Sequence, residues 1–396
     1  MLNQNTIEIV KSTAPLLAAT GPKLTAHFYD RMFARHPELK NIFNMSNQFS
    51  GAQREALFNA VYGYAANINN LEALLPVVEK IAQKHASLAI TPEMYAIVGE
   101  NLLATIDELF SPGQEVIDAW AEAYGVLANV FIQREEAIYQ EKADEIGGWR
   151  GTRRFKVITK TRESEVITSF VFAAEDGKPV ASHKPGQYIG IYLHPEVFEN
   201  REIRQYSLSD APNGQTYRIS VKRDPLGVVS NYLHDHIREG DIVDLAPPTG
   251  DFFFQSPSET PVALISGGVG QTPMMAMLEA LKDKHCADVH WLHAAENGQQ
   301  HAFASRVGEL MKQDTKIQRS VWYREPASND LQGKNFDRVG LMNVTEVEGL
   351  TASSERHFYL CGPVAFMQSI AKQLTDAGVA TDRIFYECFG PHKVIG

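Results

Sequence analysis

A glycine-rich segment near residue 270 has the composition of a phosphate-binding loop. Its sequence, Ser266-Gly267-Gly268-Val269-Gly270-Gln271-Thr272-Pro273, follows an apolar run and precedes a predicted helix. Glycines let the backbone approach a phosphate closely, and a helix N-terminus adds free N–H groups and a positive dipole end. The spacing is Gly-x-Gly-x-x-Pro rather than the dinucleotide fingerprint Gly-x-Gly-x-x-Gly. For the loop taken alone, an ordinary strand-to-helix turn is therefore the alternative.

Three polar residues fall on apolar helical faces in the first 140 residues. His85 lies on one apolar stripe, Glu135 extends the stripe that contains Phe131, and Tyr95 begins a third. A buried carboxylate needs a partner, so we expect the three side chains to hydrogen-bond to one another. The histidine could be a core residue, or it could bind a metal or haem. Three unrelated, half-exposed polar residues are the alternative.

The elements that must position these residues change type along the chain. Residues 1–146 have apolar residues three or four apart, which predicts helices. Residues 147–258 contain short runs of β-forming residues between turns, which predicts an antiparallel sheet or barrel. Residues 259–396 alternate strands with helices, as parallel sheets do. The sequence therefore predicts a multi-domain protein with an all-α domain, an antiparallel β-barrel domain and an α/β parallel-sheet domain over these three ranges.

The pattern also predicts individual elements. Strands are expected at 155–159, 166–172, 187–193, 217–222 and 241–245, and then at 262–266, 289–293, 317–322, 358–361 and 384–388. Helices are expected at 53–68, 74–88, 231–236, 273–283, 301–312 and 364–377, among others.

The composition excludes several classes of protein. Among 396 residues, 37 Lys and Arg against 48 Asp and Glu give a net charge of −11, which argues against nonspecific nucleic-acid binding and against anionic membrane surfaces. The three cysteines, Cys286, Cys361 and Cys388, fit neither a disulfide framework nor a zinc site. The first residues do not resemble a signal peptide, and no apolar run approaches a membrane span. We expect a cytoplasmic protein.

An ordered set of motifs in the second half of the chain resembles the ferredoxin–NADP reductase superfamily. The motifs are Arg204-Gln205-Tyr206-Ser207, Gly227-Val228-Val229-Ser230, Cys361-Gly362-Pro363 and Glu387-Cys388-Phe389-Gly390-Pro391-His392, together with the glycine loop. The match covers about residues 150–396 in order. The resemblance implies sites for FAD and NAD(P)H.

The resemblance also implies a role for each matching residue. Arg204 would pair with a flavin phosphate, Tyr206 would lie against the isoalloxazine ring, and Ser207 would sit near its reactive nitrogen. Further flavin contacts would come from Tyr188, Gln205, the N–H groups of Gly227, Val228, Val229 and Ser230, and Phe389 with Gly390, Pro391 and His392. The nicotinamide nucleotide would contact Gly268, Val269, Gly270, Gln271, Thr272 and Pro273, with Cys361 and Gly362 near its reactive ring.

The helical segment resembles a globin in its bacterial, flavin-fused form. The matching stretches are 21–29, 37–43, Gln53 with Leu57, and Lys84-His85. Together with the reductase motifs, this covers essentially the whole chain and identifies it as similar to flavohaemoproteins of the nitric oxide dioxygenase type. His85 would then bind the iron of haem b, Phe43 would wedge against the haem, and Leu57 would shape ligand access.

The resemblance implies a mechanism in which NAD(P)H reduces FAD, FAD reduces haem, and NO and O2 become nitrate. Tyr29 and Gln53 would hydrogen-bond O2, Glu135 would accept from the imidazole of His85, and Tyr95 would orient that pair. Lys84 and Glu387 are further candidate catalytic residues. A haem oxygen sensor or reservoir with an associated reductase is one alternative. An NADH-dependent reductase of peroxides, quinones or ferric chelates is another.

The choice of nucleotide depends on the end of the second parallel strand. Glu296 follows it, and an acid there would accept from a ribose 2′-hydroxyl and repel a 2′-phosphate, which favours NADH. Arg324 after the third strand leaves NADPH open. We expect NO, O2 and NADH or NADPH as small-molecule partners, no nucleic acid, no integral membrane segment, and a monomer.

Overall fold

The first part of the chain folds into α-helices. The computed structural model describes residues 2–45, 48, 51–194, 196–282 and 284–390. Its first helices are α1 (Gln4–Ser12), α2 (Ala14–Thr20), α3 (Lys23–Arg35), α4 (Ala52–Ala66), α5 (Leu75–Ser87), α6 (Pro92–Phe110) and α7 (Gln114–Asp144).

Each long helix buries the face that carries its apolar residues, as the spacing of those residues predicts. Phe28 and Met32 on α3, Ile106 on α6 and Trp120 on α7 share one buried core. Helix α6 begins at Pro92, whose fixed φ suits the first turn of a helix. A second buried cluster lies where α5, α6 and α7 meet, and it surrounds the His85 region. This is the predicted all-α part, and it holds the first candidate site.

The middle of the chain forms an antiparallel six-stranded sheet. Its strands are β1 (Arg153–Arg162), β2 (Ile167–Ala174), β3 (Tyr188–Leu193), β4 (Glu202–Ser207), β5 (Thr216–Lys222) and β6 (Ile242–Leu245), with helix α8 (Val228–Asp235) between β5 and β6. Their order is β4-β3-β6-β1-β2-β5. An antiparallel bridge between Leu208, just after β4, and Ile219 on β5 joins the two outer strands. The sheet therefore closes into the predicted barrel.

The final part is a parallel sheet with helices on both faces. It contains β7 (Val262–Gly267), α9 (Gln271–Leu281), β8 (Val289–Ala295), α10 (Ala304–Gln313), β9 (Ile317–Tyr323), β10 (Arg338–Val339), β11 (His357–Cys361), α11 (Val364–Asp376) and β12 (Ile384–Glu387). Every residue of β7 is buried, as expected for a strand covered on both faces.

The strand order of this sheet locates its ligand crevice. The order is β10-β9-β8-β7-β11-β12, so the chain leaves β7 toward β8 on one side and later returns to β11 on the other. Ligands of open α/β sheets bind at such a switch point, at the carboxyl ends of the strands. Residues Gly268–Gly270 form a short 3-10 turn at that end of β7.

The structure corrects several predicted elements. Strand β4 was expected only as a motif, because its sequence Glu-Ile-Arg-Gln-Tyr-Ser is too polar for a clear alternation. The two-residue β10 gives no sequence signal at all. Helix α8 begins at Val228 instead of residue 231, since paired valines have low helix propensity and hide the start. Helix α9 begins at Gln271 and α10 at Ala304, within three residues of the expected positions.

The chain divides into two compact units. One contains the residues up to Thr152 together with Gly190–Arg204, and the other contains Arg153–Ile189 and the residues from Gln205 onward. Among the described residues, no helix has the length and hydropathy needed to cross a membrane.

Acid should destabilise the protein through His301. This residue is buried, its Nδ1 lies 2.9 Å from the Tyr323 hydroxyl, and burial together with Arg319 lowers its pKa to about 4. The unfolded chain binds this proton at about pH 6.5. The contribution of His301 to stability should therefore be complete above that pH and fall by roughly 2–3 kcal/mol toward pH 4, because the unfolded state then holds the extra proton.

The test is urea unfolding between pH 4 and pH 7. His301→Gln should flatten the dependence of the unfolding free energy on pH. Tyr323→Phe is the control, because it removes the hydrogen bond but keeps the imidazole and should keep the slope. A His301→Gln slope equal to that of the unmodified protein would contradict the assignment.

Candidate functional site

The three polar residues on inward helical faces meet in the structure. His85 on α5, Tyr95 on α6 and Glu135 on α7 come from three different helices. The Nδ1 atom of His85 lies 2.8 Å from Glu135 Oε1 and 2.8 Å from the Tyr95 hydroxyl. The Tyr95 hydroxyl lies 2.5 Å from the same carboxylate oxygen. Glu135 is only 2% exposed, so this network satisfies a buried carboxylate.

The hydrogen bonds fix the tautomer of His85. Tyr95 has a single proton, which it donates to Glu135, and the carboxylate has none to give. Nδ1 must therefore carry the imidazole proton and donate it to Glu135. In the neutral imidazole Nε2 is then the unprotonated nitrogen, and among the described residues the ring makes its hydrogen bonds through Nδ1. A neutral imidazole with a free Nε2 lone pair is the form that binds a metal.

Aromatic packing holds this network in place. The Phe131 ring lies 5.9 Å from the His85 ring and stacks on Tyr95 at 6.1 Å. The Tyr124 hydroxyl donates to the Tyr95 carbonyl oxygen over 2.6 Å. Burial, and then the charge of Glu135, raises the pKa of Tyr95 well above its usual value, so this phenol stays protonated. The donor set therefore fits a haem ligand whose orientation is fixed.

A second polar group lies on α3 in the same unit. Tyr29 is 2% exposed, and burial raises its pKa to about 12 although a hydrogen bond from Gln53 on α4 opposes the rise. The Gln53 side chain therefore lies within reach of the Tyr29 hydroxyl. The Tyr29 ring packs edge-on against Phe43 at 5.7 Å.

Three other residues of the helical part lie near these polar groups in the sequence or in the structure. Leu57 shares a face of α4 with Gln53 and packs, partly buried, against the helical core. Lys84 precedes His85 and is half-buried. Gln48 was not among the predicted site residues, although it is buried and lowers the pKa of Tyr29. An isolated glutamine between helices gives no periodic signal.

Strand β4 carries the first predicted flavin contacts. Arg204, Gln205, Tyr206 and Ser207 are consecutive on it. The Arg204 guanidinium already has partners, because Nη1 lies 2.8 Å from Glu202 Oε2 and 2.8 Å from the Ile203 carbonyl. A phosphate would therefore share Arg204 with Glu202. Ser207 is buried, whereas Gln205 and Tyr206 are half-buried.

The N-terminus of α8 fits a phosphate. A Cβ on Gly227 would lie 2.4 Å from Ser230 Oγ, so any side chain here would have to displace that hydroxyl. Val228, Val229 and Ser230 form the first turn, whose N–H groups have no partners inside the helix. One predicted donor is corrected: the Gly227 N–H is used by the Asp224 carbonyl at 3.0 Å, because the two close a turn.

The remaining predicted flavin contacts surround the end of the parallel sheet. Burial, and then the charges of Glu387 and Asp251, raise the pKa of Tyr188 well above its usual value. Glu387 is buried at the end of β12. Phe389 is 45% exposed, which is unusual for a phenylalanine and leaves its ring able to cover a ligand. Gly390 follows with a positive φ. Pro391 and His392 lie outside the described residues.

The glycine loop after β7 fits a nucleotide. Gly268 has a φ of +56°, and the Nζ of Lys222 lies 4.0 Å from the position of a Cβ there, which places a cation at the loop. Gln271 is fully buried, and neither atom of its amide has a partner among the described residues. Such an orphaned amide needs a polar ligand. Val269 is half-buried, and Thr272 and Pro273 are buried in the first turn of α9.

Close packing brings the end of β11 to the same loop. A Cβ on Gly270 would lie 2.2 Å from the Cys361 carbonyl oxygen, so glycine is required for the contact. Cys361 is buried and Gly362 follows it. Burial, and then Glu387, raises the pKa of the Cys361 thiol, which is therefore not a nucleophile. On the other side of β7, Glu296 lies 3.9 Å from Arg324.

Family models match three successive parts of the chain. Residues 26–131 match the globin model, residues 154–254 match the oxidoreductase FAD-binding domain, and residues 264–372 match the oxidoreductase NAD-binding domain. The three matches follow the order of the helical part, the barrel and the parallel sheet.

Two solved structures are similar over long stretches. A flavohemoglobin from Malassezia yamatoensis with bound FAD and heme is 26% identical, with a TM-score of 0.84, and the match covers 98% of this chain and 100% of that one. The FAD/NAD-binding domain of a nitric oxide dioxygenase from Vibrio cholerae O1 biovar El Tor is 44% identical, with a TM-score of 0.56. That match covers 60% of this chain and 99% of the other.

Gly227→Ala should weaken flavin binding, because the new methyl group would displace Ser230 and cover the first turn of α8. We expect the affinity for FAD to fall about tenfold or more, which corresponds to ~1.4 kcal/mol. Flavin released on heating, measured per chain, reports this. Gly308→Ala on α10, where a Cβ meets nothing within 4 Å, is the matched control. Full flavin content in Gly227→Ala would contradict the proposed cradle.

Proposed function

This chain belongs to the flavohaemoglobin family, in which a globin precedes FAD-binding and NAD-binding oxidoreductase domains, and from this we propose that it is a nitric oxide dioxygenase. Its general class is that of an NAD(P)H-dependent oxidoreductase. The proposed reaction consumes two NO, two O2 and one NAD(P)H, and it yields two nitrate, NAD(P)+ and one proton.

Three sets of residues fit three cofactors. His85 Nε2 would bind the iron of haem b, α8 with β4 would hold FAD, and the loop from Gly268 to Pro273 would hold NAD(P)H. When bound, FAD accepts a hydride from the nicotinamide and passes single electrons to haem, which supplies the iron for O2 chemistry. The protein's own part is to bind, orient and hydrogen-bond these groups.

The hydrogen-bond network of His85 is the observation that carries the proposal. Nδ1–H donates to the buried carboxylate of Glu135, which places negative charge behind the imidazole and makes Nε2 more basic. A more basic proximal ligand pushes electron density toward iron, and such a push favours O2 activation over simple storage. Tyr95 donates to the same oxygen and prevents the carboxylate from turning away.

Tyr29 and Gln53 would act on the ligand side. Because the pKa of Tyr29 is about 12, its hydroxyl remains a donor throughout the physiological pH range. Gln53, whose side chain lies within reach of the phenol, would orient its hydroxyl group. This pair would hydrogen-bond a small diatomic ligand, and Leu57 would limit the space for a second one.

The choice of NADH is supported by Glu296. Its carboxylate follows β8 at the position that would meet a ribose 2′-hydroxyl. It also lies 3.9 Å from Arg324 and would partly neutralise the positive charge of that residue. Both effects disfavour a 2′-phosphate. The cytoplasmic location and the monomeric state stay predictions from the sequence.

Tyr29→Phe tests the proposed activity. Losing the buried donor should raise the rate of O2 release from the reduced holoprotein about tenfold, which corresponds to ~1.4 kcal/mol. It should also reduce NO-dependent NADH oxidation under air, while NADH oxidation without NO changes little. Stopped-flow absorbance and an NO electrode measure the two rates.

The control is Tyr64→Phe, which removes an equally buried hydroxyl that donates to the Ala123 carbonyl. The proposed activity would be contradicted if the unmodified protein oxidised NADH at the same rate with and without NO. That result would favour an oxygen reservoir or a reductase of other acceptors.

Glu135→Gln tests the proximal network. The amide still accepts a hydrogen bond but carries no charge, so we expect a lower iron–histidine stretching frequency in the resonance Raman spectrum of the reduced protein. Glu79→Gln is the control, since Glu79 pairs with Arg134 on the helix surface. An unmoved band in Glu135→Gln would show that the carboxylate does not tune the imidazole.

A further inference from the structure

Residues 190–204, which include the end of β3 and the start of β4, belong to the same compact unit as the helical part. The segment, called the clasp below, contributes to the barrel sheet through β3 and β4 and also groups with the helices. Hydrogen bonds attach it to the helices at two points.

The first point is Tyr192. Its hydroxyl donates to the Ser87 carbonyl oxygen over 2.7 Å, and the side chain is buried at 3% exposure. Ser87 is the last residue of α5 and lies two positions after His85. Burial raises the pKa of Tyr192, so the hydroxyl remains a donor. The bond also satisfies one of the carbonyl groups that every helix leaves unpaired at its C-terminus.

The second point is Arg201. Its backbone N–H donates to Asn41 Oδ1 over 2.7 Å, and its Nε donates to the Asn41 carbonyl over 3.2 Å. Asn41 lies two positions before Phe43, the residue expected to contact haem. The Arg201 guanidinium also lies 5.5 Å from the centre of the Tyr192 ring, so the two points support each other.

The clasp leads directly into the strand that is expected to bind flavin. Arg201 immediately precedes β4, which carries the predicted flavin contacts Arg204, Tyr206 and Ser207. Ser87 lies two positions after His85, and Asn41 lies two positions before Phe43. His85 and Phe43 are the residues expected to contact haem. The clasp therefore links the flavin-bearing strand to both haem-bearing stretches through three hydrogen bonds.

We propose that Tyr192 and Arg201 are positioning residues for the transfer of electrons from flavin to haem. The proposal rests on the proposed function, because it assumes that both groups are bound. The two side chains hold the clasp at fixed points on the helices, which restricts the motions of β4 relative to α5. They touch neither the substrate nor the reacting atoms. A change in the position of the flavin-bearing strand should therefore slow this transfer.

The experiment uses the holoprotein with the double substitution Tyr192→Phe and Arg201→Met. Anaerobic stopped-flow mixing with NADH follows flavin reduction and haem reduction as separate absorbance phases. We expect the haem phase to slow about tenfold, while flavin reduction and ferricyanide reduction change less than twofold. Flavin and haem content per chain are measured alongside and should be unchanged.

A second measurement does not depend on turnover. Hydrogen–deuterium exchange of peptides that cover 190–204 should become about tenfold faster in the double variant, because the clasp loses two of its three hydrogen bonds to the helices and keeps only the one from the Arg201 backbone N–H. Tyr217→Phe is the matched control, since it removes a buried hydroxyl that donates to the Ala181 carbonyl within the barrel. It should change neither the haem phase nor the exchange of the clasp.

Tyr192→Phe alone keeps the ring and removes one hydroxyl, so it serves if the double variant does not fold, and about a threefold slowing is expected. A haem phase at the rate of the unmodified protein, or unchanged exchange of the clasp, would overturn the inference. Failure of NADH to reduce haem in the unmodified protein would instead contradict the proposed function.

Discussion

The helical part of the protein depends on one buried charge. Glu135 is almost completely removed from solvent, and a carboxylate in such a place is tolerated only when donors replace water. His85 and Tyr95 provide these donors from two other helices, so a single electrostatic requirement brings α5, α6 and α7 to one point. The same requirement places the imidazole proton on Nδ1 and frees Nε2. Helix packing and ligand chemistry therefore have a common cause.

The parallel sheet depends on a different constraint, the change of direction at β7. Because the chain leaves β7 on one side and returns on the other, the carboxyl end of this strand is open. Only a glycine-rich turn fits there, since Gly270 packs directly against the Cys361 carbonyl. The buried, unpaired amide of Gln271 lies in the first turn of the following helix. Topology, sterics and unsatisfied polarity thus indicate the same ligand crevice.

The barrel, which lies between these two regions in the sequence, contributes positions rather than chemistry. Strand β4 carries consecutive candidate flavin contacts, and the clasp that leads into it is attached beside the haem-side residues. The polar groups involved are backbone carbonyls, a tyrosine hydroxyl and an arginine, which fix geometry without reacting. A protein that moves electrons between bound groups needs this kind of support, because the transfer depends on where the groups are held.

The sequence by itself determined the three-part architecture, since helical periodicity, β-alternation and the βαβ rhythm are local patterns of one side chain to the next. It also predicted that Glu135 needs partners and that His85 and Tyr95 face inward. It did not reveal β4, whose residues are polar and alternate weakly, nor the early start of α8 behind two valines. Only the tertiary structure decided that Arg204 shares its charge with Glu202, that the Gly227 N–H is already used, and that Gln48 and Tyr192 belong near the sites. Those facts are contacts between particular side chains and backbone groups, and no periodic pattern encodes such contacts.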